Sequence, residues 1–339
     1  MIKSKRSFAF VLLISFFSLV FSSLSIDAQK INGVNVVGTS KGFSALDLQP
    51  ILDLGASHAC FIPFAYAEEG ESHLSFKNVS WQWKGESIEG VLEGVQLAHQ
   101  KKLKTIIKPQ VWISHGSFTG DFKLNTASEW ENFESDYREY ILSFARLAEQ
   151  ENVSIFCLGT EFCDWVQARP KFWADLITEL RTVYRGKLTY ASNWDSFTQF
   201  PHWDKLDFIG IDAYFPICNQ TTPKLKTLLI GWQTHYNELK NTSDRYNKPI
   251  LFTEYGYRSV DQCAKEPWES SRGGNVNTIA QYNSYLALFR RFWEQEWFAG
   301  GLIWKWYPNH AKAGGIEDNR FTPQNKPAEG LIKEWYRKG

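Results

Sequence analysis

The 339-residue chain has no surplus of either charge: 37 Lys and Arg stand against 37 Asp and Glu. A protein that neutralises a phosphate backbone needs a basic excess, so charge excludes a nucleic-acid partner. Cysteine is sparse. Cys60, Cys157, Cys163, Cys218 and Cys263 are too few for a disulfide framework in a chain of this length, and no two form a CxxC. Cys60 and Cys157 sit in apolar runs and read as buried thiols. Cys218 and Cys263 fall in loops expected to lie side by side, where one disulfide could close. The seven His are scattered without an HExxH, which argues against a metal site. No GxGxxG follows the first apolar run, which removes the dinucleotide-binding fingerprint. No low-complexity linker divides the chain, and no cofactor is implied.

Aromatic residues are what the chain has in quantity: 15 Trp, 14 Tyr and 25 Phe. They can fill a core, or they can offer flat apolar faces with polar edges for stacking sugar rings. At the N-terminus, Lys3, Lys5 and Arg6 precede an uncharged, Phe- and Leu-rich run from Ser7 to Ile26. That order reads as a signal peptide over residues 1–28, with Ser25 or Ala28 at the cleavage point. A single domain over 29–339 would then be secreted or periplasmic, with no membrane attachment after signal removal. Oligomeric state is not legible.

From residue 31 onward, apolar runs alternate with helical periodicity. The runs Ile31–Val37, His58–Phe64, Lys104–Gln110, Val153–Thr160, Leu188–Asn193, Leu206–Tyr214, Pro249–Glu254 and Gly301–Trp306 have the near-continuous apolar character of buried parallel strands. Between them lie helical segments at Ala45–Leu54, Ser87–Lys102, Pro170–Tyr184, Pro223–Leu239 and Val276–Trp293. A further segment carries Trp130, Phe133, Tyr137, Tyr140, Ile141, Phe144 and Ala148 along one helical face. Only Trp194–Lys205 joins the fifth run to the sixth, so that connection is short or irregular. Eight such units predict an α/β fold, a single-domain (β/α)8 TIM barrel.

In such a barrel the functional residues gather at the C-terminal ends of the strands. The strand ends offer Asn35, then Lys108, Gln110 and Trp112, then Thr160 with Glu161, then Asn193 and Trp194, then Asp212 and Tyr214, then Glu254 with Tyr257 beyond it, and finally Trp304. Of these, Glu161 and Glu254 are the glutamates, and they close the fourth and seventh strands on opposite sides of the mouth. Two carboxyl groups about 5–5.5 Å apart can cleave a glycosidic bond with retention, one as nucleophile and one as acid/base. Lys108, Asp212 and Arg258 suit either ion pairing or substrate contact. Of Trp304 and Trp306, one is expected in the pocket and the other packed outward, with Trp304 the pocket residue. Tyr214 and Tyr257 are candidates to hydrogen-bond the nucleophile or the ring oxygen.

The segments "KPQVW", "GTEF", "FIGIDAYFP", "ILFTEYGYRS", "GGLIWKWYP" and "FTPQNKPAE" resemble glycoside hydrolase family 113, within clan A of the retaining glycoside hydrolases. The resemblance runs over roughly residues 31–337. It implies Glu161 as acid/base, Glu254 as nucleophile, and a β-1,4-linked mannan or glucomannan as substrate. Other β-linked glycans such as cellulose or xylan remain the alternative, and a carbohydrate-binding barrel without catalysis is the non-enzymatic one. The pattern departs at one position. Many clan A members carry Asn immediately before the acid/base, where it binds the sugar 2-hydroxyl; here that residue is Thr160. That hydroxyl is axial in mannose and equatorial in glucose, so either Thr160 or a substitute such as Asn193 must read it.

Overall fold

A computed structural model describes residues 29–338 apart from residue 78; the expected signal peptide lies outside the described residues. Ten strands and eight α-helices follow in chain order: β1 (Ile31–Val36), α1 (Ala45–Leu54), β2 (His58–Phe61), β3 (Phe64–Ala67), α2 (Ile88–Gln100), β4 (Lys104–Ile107), β5 (Gln110–Ile113), α3 (Ala127–Gln150), β6 (Ile155–Thr160), α4 (Cys163–Ala168), α5 (Pro170–Val183), β7 (Lys187–Asn193), β8 (Ile209–Asp212), α6 (Leu225–Tyr246), β9 (Ile250–Tyr255), α7 (Thr278–Phe292), β10 (Phe298–Trp306) and α8 (Pro327–Tyr336). Eight strands close into a parallel barrel in the order β1-β10-β9-β8-β7-β6-β4-β2. This is the (β/α)8 architecture expected from the sequence.

Local chemistry sets the helix ends. Thr126 and Glu129 form a capping box at the start of α3, and Ser44 with Asp47 does so for α1. Pro170 and Pro327 open α5 and α8 at the first turn, where a missing N–H costs nothing. Between β7 and β8, two short 3-10 turns at Phe197–Gln199 and Trp203–Lys205 replace a helix.

The core is divided by the barrel wall. Inside lie Ile31, Cys60, Ile62, Ile106, Ile155, Leu251 and Leu302. Outside, a larger layer between strands and helices takes the bulk of the aromatic side chains, with Trp165, Trp173, Trp203, Trp232 and Trp306 fully buried. The second and third apolar runs each break at a proline, Pro63 and Pro109, which cannot donate to a ladder. Beyond these breaks β3 and β5 form their own two-stranded parallel sheet above the barrel, pairing Phe64 with Gln110 and Tyr66 with Trp112.

The loops holding Cys218 and Cys263 do run side by side, with the Ile217 and Cys218 amides both donating to the Ala264 carbonyl. Both thiols are nevertheless free: Cys218 Sγ accepts from the Gln220 amide and Cys263 Sγ lies 3.6 Å from Ser284 Oγ. Among the described residues no helix is long and apolar enough to cross a membrane.

Candidate active site

Along β9, Leu251 faces the barrel interior and Phe252 the helix layer. Thr253 turns inward again, its hydroxyl donating to Asp212 Oδ1 at 2.7 Å. Strict alternation would send Glu254 outward. The register shows why it does not. Against β8, Ile211 and Asp212 face Phe252 and Glu254; against β10, Gly301 and Ile303 face Phe252 and Tyr255. β9 therefore spends one residue more than either neighbour, a bulge that lets Thr253 and Glu254 both point inward before Tyr255 returns to the outer layer.

There Glu254 is 5 % exposed and only accepts. Gln110 Nε2 donates to Oε1 at 2.9 Å and Tyr214 Oη to Oε2 at 2.6 Å, while Lys108 Nζ bonds Oε1 as well. Lys108 has no exposed surface and also lies 3.4 Å from Asp212 Oδ2. Burial alone would push its ammonium toward neutrality, but the charges of Asp212 and then Glu254 override this and hold its pKa above the ordinary lysine value. Asp212 moves the other way. Burial first, then the Glu254 charge, pushes its carboxyl up to about 7 against the pull of Lys108 and Thr253.

Glu161 arrives by a second irregularity. On β6, Cys157 pairs with Thr189 and Thr160 with Ala191, three steps against two. The next residue, Glu161, takes φ +58°, a left-handed conformation uncommon outside glycine and concentrated at functional sites. Its amide donates to the Ala191 carbonyl at 2.8 Å, which holds the turn. Its carboxyl has no hydrogen-bond partner among the described residues. Burial, then the charges of Asp212 and Glu254, drives that carboxyl well above the usual glutamate range. The two glutamates are thus prepared oppositely: one saturated with donors, one bare and with its carboxyl held well above the usual range.

Trp304 joins this group, with its ring 5.7 Å from Lys108 Nζ and packed on the interior cluster, while Trp306 is buried in the outer layer. Residues two apart in a regular strand share a face. These part because Val34 and Val36 of β1 pair with Ile303 and Trp306, so β10 also carries an extra residue there. Thr160 is 7 % exposed and donates to the Pro109 carbonyl at 3.3 Å. Asn193 donates to Asp195 Oδ1 at 2.9 Å, leaving its own Oδ1 free for a ligand. Trp194, at the rim, stacks on Trp268 with ring centroids 5.1 Å apart.

The other expected residues lie away from the two carboxyl groups. Asn35 has no exposed surface, and its amide donates to the backbone of Thr253 and Leu302, so it braces β9 and β10 from inside the barrel. Tyr257 does not reach Glu254. It is buried edge-on against Tyr285, with its carbonyl held by Gln281, because β9 has by then turned toward α7. Trp112 lies on β5, outside the barrel proper, and half of it is exposed. Among the described residues Arg258 forms no ion pair, and it donates to the carbonyls of Asn319 and Arg272. Trp268 was not foreseen; its loop, "EPWES", shows only a lone aromatic among charges. The motif "FTPQNKPAE" proves to be a brace. Gln324 bonds both backbone groups of Tyr307 just past β10, and Lys326 reaches Ser259 and Asp318.

The profile of Glycoside Hydrolase Family 113 matches residues 44–326. Among solved structures, the GH113 β-mannanase AaManA from Alicyclobacillus acidocaldarius, in complex with ManMIm, superposes with a TM-score of 0.80 at 23% identity, over 91% of this chain and 98% of that one. A second GH113 β-1,4-mannanase superposes with a TM-score of 0.79 at 22% identity, over 92% and 100%. A β-glucuronidase from Faecalibacterium prausnitzii reaches 0.61 at 13% identity, covering 91% of this chain but 49% of its own. A comparison with curated proteins gives no match. At these identities the superpositions carry the fold, whereas the profile spans most of the chain. The chain belongs to glycoside hydrolase family 113 and is a glycoside hydrolase.

Proposed function

We propose that the protein is a retaining glycosidase that cleaves β-1,4-mannosidic bonds in mannan or glucomannan, with Glu254 as nucleophile and Glu161 as acid/base. The observation that carries this reading is the opposite preparation of the two carboxyl groups. A Glu254 oxygen attacks the anomeric carbon as the glycosidic C–O bond breaks, and the Glu161 proton passes to the departing oxygen. Glu161, now a carboxylate, takes a proton from water, whose oxygen attacks the same carbon and releases Glu254. Lys108, Gln110 and Tyr214 hold the nucleophile in one orientation, so little reorganisation precedes attack. Trp304 offers a floor for the sugar at the cleavage point. The mannan assignment rests on the family and on the two mannanases that share the fold.

Two measurements test the proposal. Glu254→Ala should abolish hydrolysis of an activated aryl β-mannoside, whereas Glu161→Ala should slow the second step more than the first, because a good leaving group needs no proton. Full activity in both variants would overturn the mechanism. Reducing-sugar release from mannan, glucomannan, xylan and cellulose decides the substrate, and preference for xylan or cellulose would overturn the mannan reading. We also propose that the protein is exported; amino-terminal sequencing of the secreted form should begin close to Ser25 or Ala28.

A further inference from the structure

The sheet formed by β3 and β5 has one face that no helix covers. Ala65, Ala67, Val111 and Ile113 turn into the outer fold, and Phe64, Tyr66, Gln110 and Trp112 form the other face, which begins at the barrel mouth with Gln110. The cross-strand register places Phe64 beside Gln110 and Tyr66 beside Trp112, so these four side chains form one continuous ladder. The lower rung touches the reaction centre, since Gln110 Nε2 donates to Glu254. The upper rung lies two residues further along, roughly 7 Å away.

At that upper rung the ladder is walled by a third ring. Trp81 packs edge-on against Tyr66 with centroids 4.3 Å apart, and Trp112 lies 6.4 Å from Tyr66. Trp81 is 62% exposed and Trp112 47%, a cost in hydration that an isolated domain does not normally sustain on adjacent large rings. The loop that carries Trp81 is fastened rather than free: Gln82 Nε2 donates to the carbonyls of Phe64 and Glu86. Phe64, Tyr66, Trp81, Glu86 and Trp112 together line a cleft of about 240 Å³. That is just below the range typical of drug-sized ligands, and so suited to one ring rather than a chain. Glu86 supplies polarity at its edge. One oxygen accepts from Tyr66 Oη at 2.9 Å, and the other has no partner among the described residues.

We propose that this cleft is a sugar subsite, separate from the cleavage point, in which Trp81 and Trp112 stack against a hexose unit of the bound β-linked glycan while the free Glu86 oxygen accepts a sugar hydroxyl. Flat apolar rings, a carboxylate acceptor and direct continuity with the residue that holds the nucleophile match the amphipathic faces of a pyranose. The proposal rests on the hydrolase reading above and adds to it a site that sets the preference for longer chains.

The test uses the full-length enzyme with hexasaccharides of β-1,4-mannose, β-1,4-glucose and β-1,4-xylose, each paired with its aryl monoglycoside. The readout is the ratio of kcat/KM for the hexasaccharide to that for the aryl glycoside, in the sugar series that the wild-type protein hydrolyses best. Trp81→Ala and Trp112→Ala should each lower this ratio by about tenfold, and Trp81→Tyr should restore most of it. Calorimetric binding of the same hexasaccharide to Glu254→Gln should weaken to match when Trp81→Ala is added. Hydrolysis of glucose or xylose chains instead of mannose chains would overturn the substrate assignment and leave the subsite standing. An unchanged ratio and unchanged hexasaccharide binding in both alanine variants would overturn the subsite itself. Trp81 is mostly exposed, so its variants should keep the wild-type melting temperature.

Discussion

Lys108 sits among three carboxyl groups, and its single positive charge cannot balance them all. Full ionisation of Glu161, Asp212 and Glu254 would leave an uncompensated excess in a buried site, and this raises the proton affinity of the first two. Asp212→Asn tests this directly. Without the Asp212 charge the Glu161 proton is held less tightly, so the alkaline limb of the kcat/KM profile should move to lower pH. A limb that stays in place would show that burial and the Glu254 charge suffice to hold the Glu161 proton. Stability should respond with a definite sign. The folded Asp212 carboxyl titrates near 7, above its unfolded value near 3.9, so the native state binds the extra proton between those values. Wild-type stability therefore loses this contribution as pH rises from 4 to 7. The melting temperature of Asp212→Asn relative to wild type should climb across the same window. Sequence reading found both glutamates because each ends an apolar run. It offered Tyr214 and Tyr257 together for the bond to Glu254, and the structure takes only Tyr214. Tyr257 is three residues away along the chain but faces another layer, whereas Tyr214 is 40 residues away and one strand over.

Three elements, β6, β9 and β10, each hold an extra residue close to the side chain they deliver to the mouth. The apolar runs made these strands legible. The bulges were not legible, since a one-residue insertion leaves an apolar run apolar. Helix α8 was not read from the sequence either. Where β9 ends, Gly256 lets β10 come close; a Cβ there would meet the Trp304 carbonyl at 2.3 Å. Gly256→Ala should push the two strands apart, destabilise the fold by about 1–3 kcal/mol, and lower kcat more than it raises KM. A variant with reduced melting temperature but wild-type kcat would show that Trp304 is not set by this contact.

Across the described residues the aromatic surplus divides between the core and the surface. Five tryptophans are fully buried, while Trp81, Trp83, Trp112 and Trp268 stay more than 40% exposed. The first and last described elements are joined through the barrel. β1 closes against β10, Tyr336 Oη donates to the Gly33 carbonyl at 2.9 Å, and Asn32 Nδ2 donates to the Tyr336 carbonyl at 3.2 Å. Tyr336→Phe removes the first of these bonds and the contact with Tyr255 Oη at 2.7 Å. It should cost about 1–3 kcal/mol in chemical denaturation while leaving kcat/KM of the folded enzyme near wild type. Loss of activity without loss of stability would contradict a purely structural role. These joined elements also bear on how the molecule comes into being. In synthesis β1 precedes α8, and the brace from residues 321–326 onto Tyr307 and Ser259 comes later than either glutamate. A chain truncated before residue 321 therefore carries both carboxyl groups without the brace that holds the end of β10, and it should melt at a lower temperature than the full sequence.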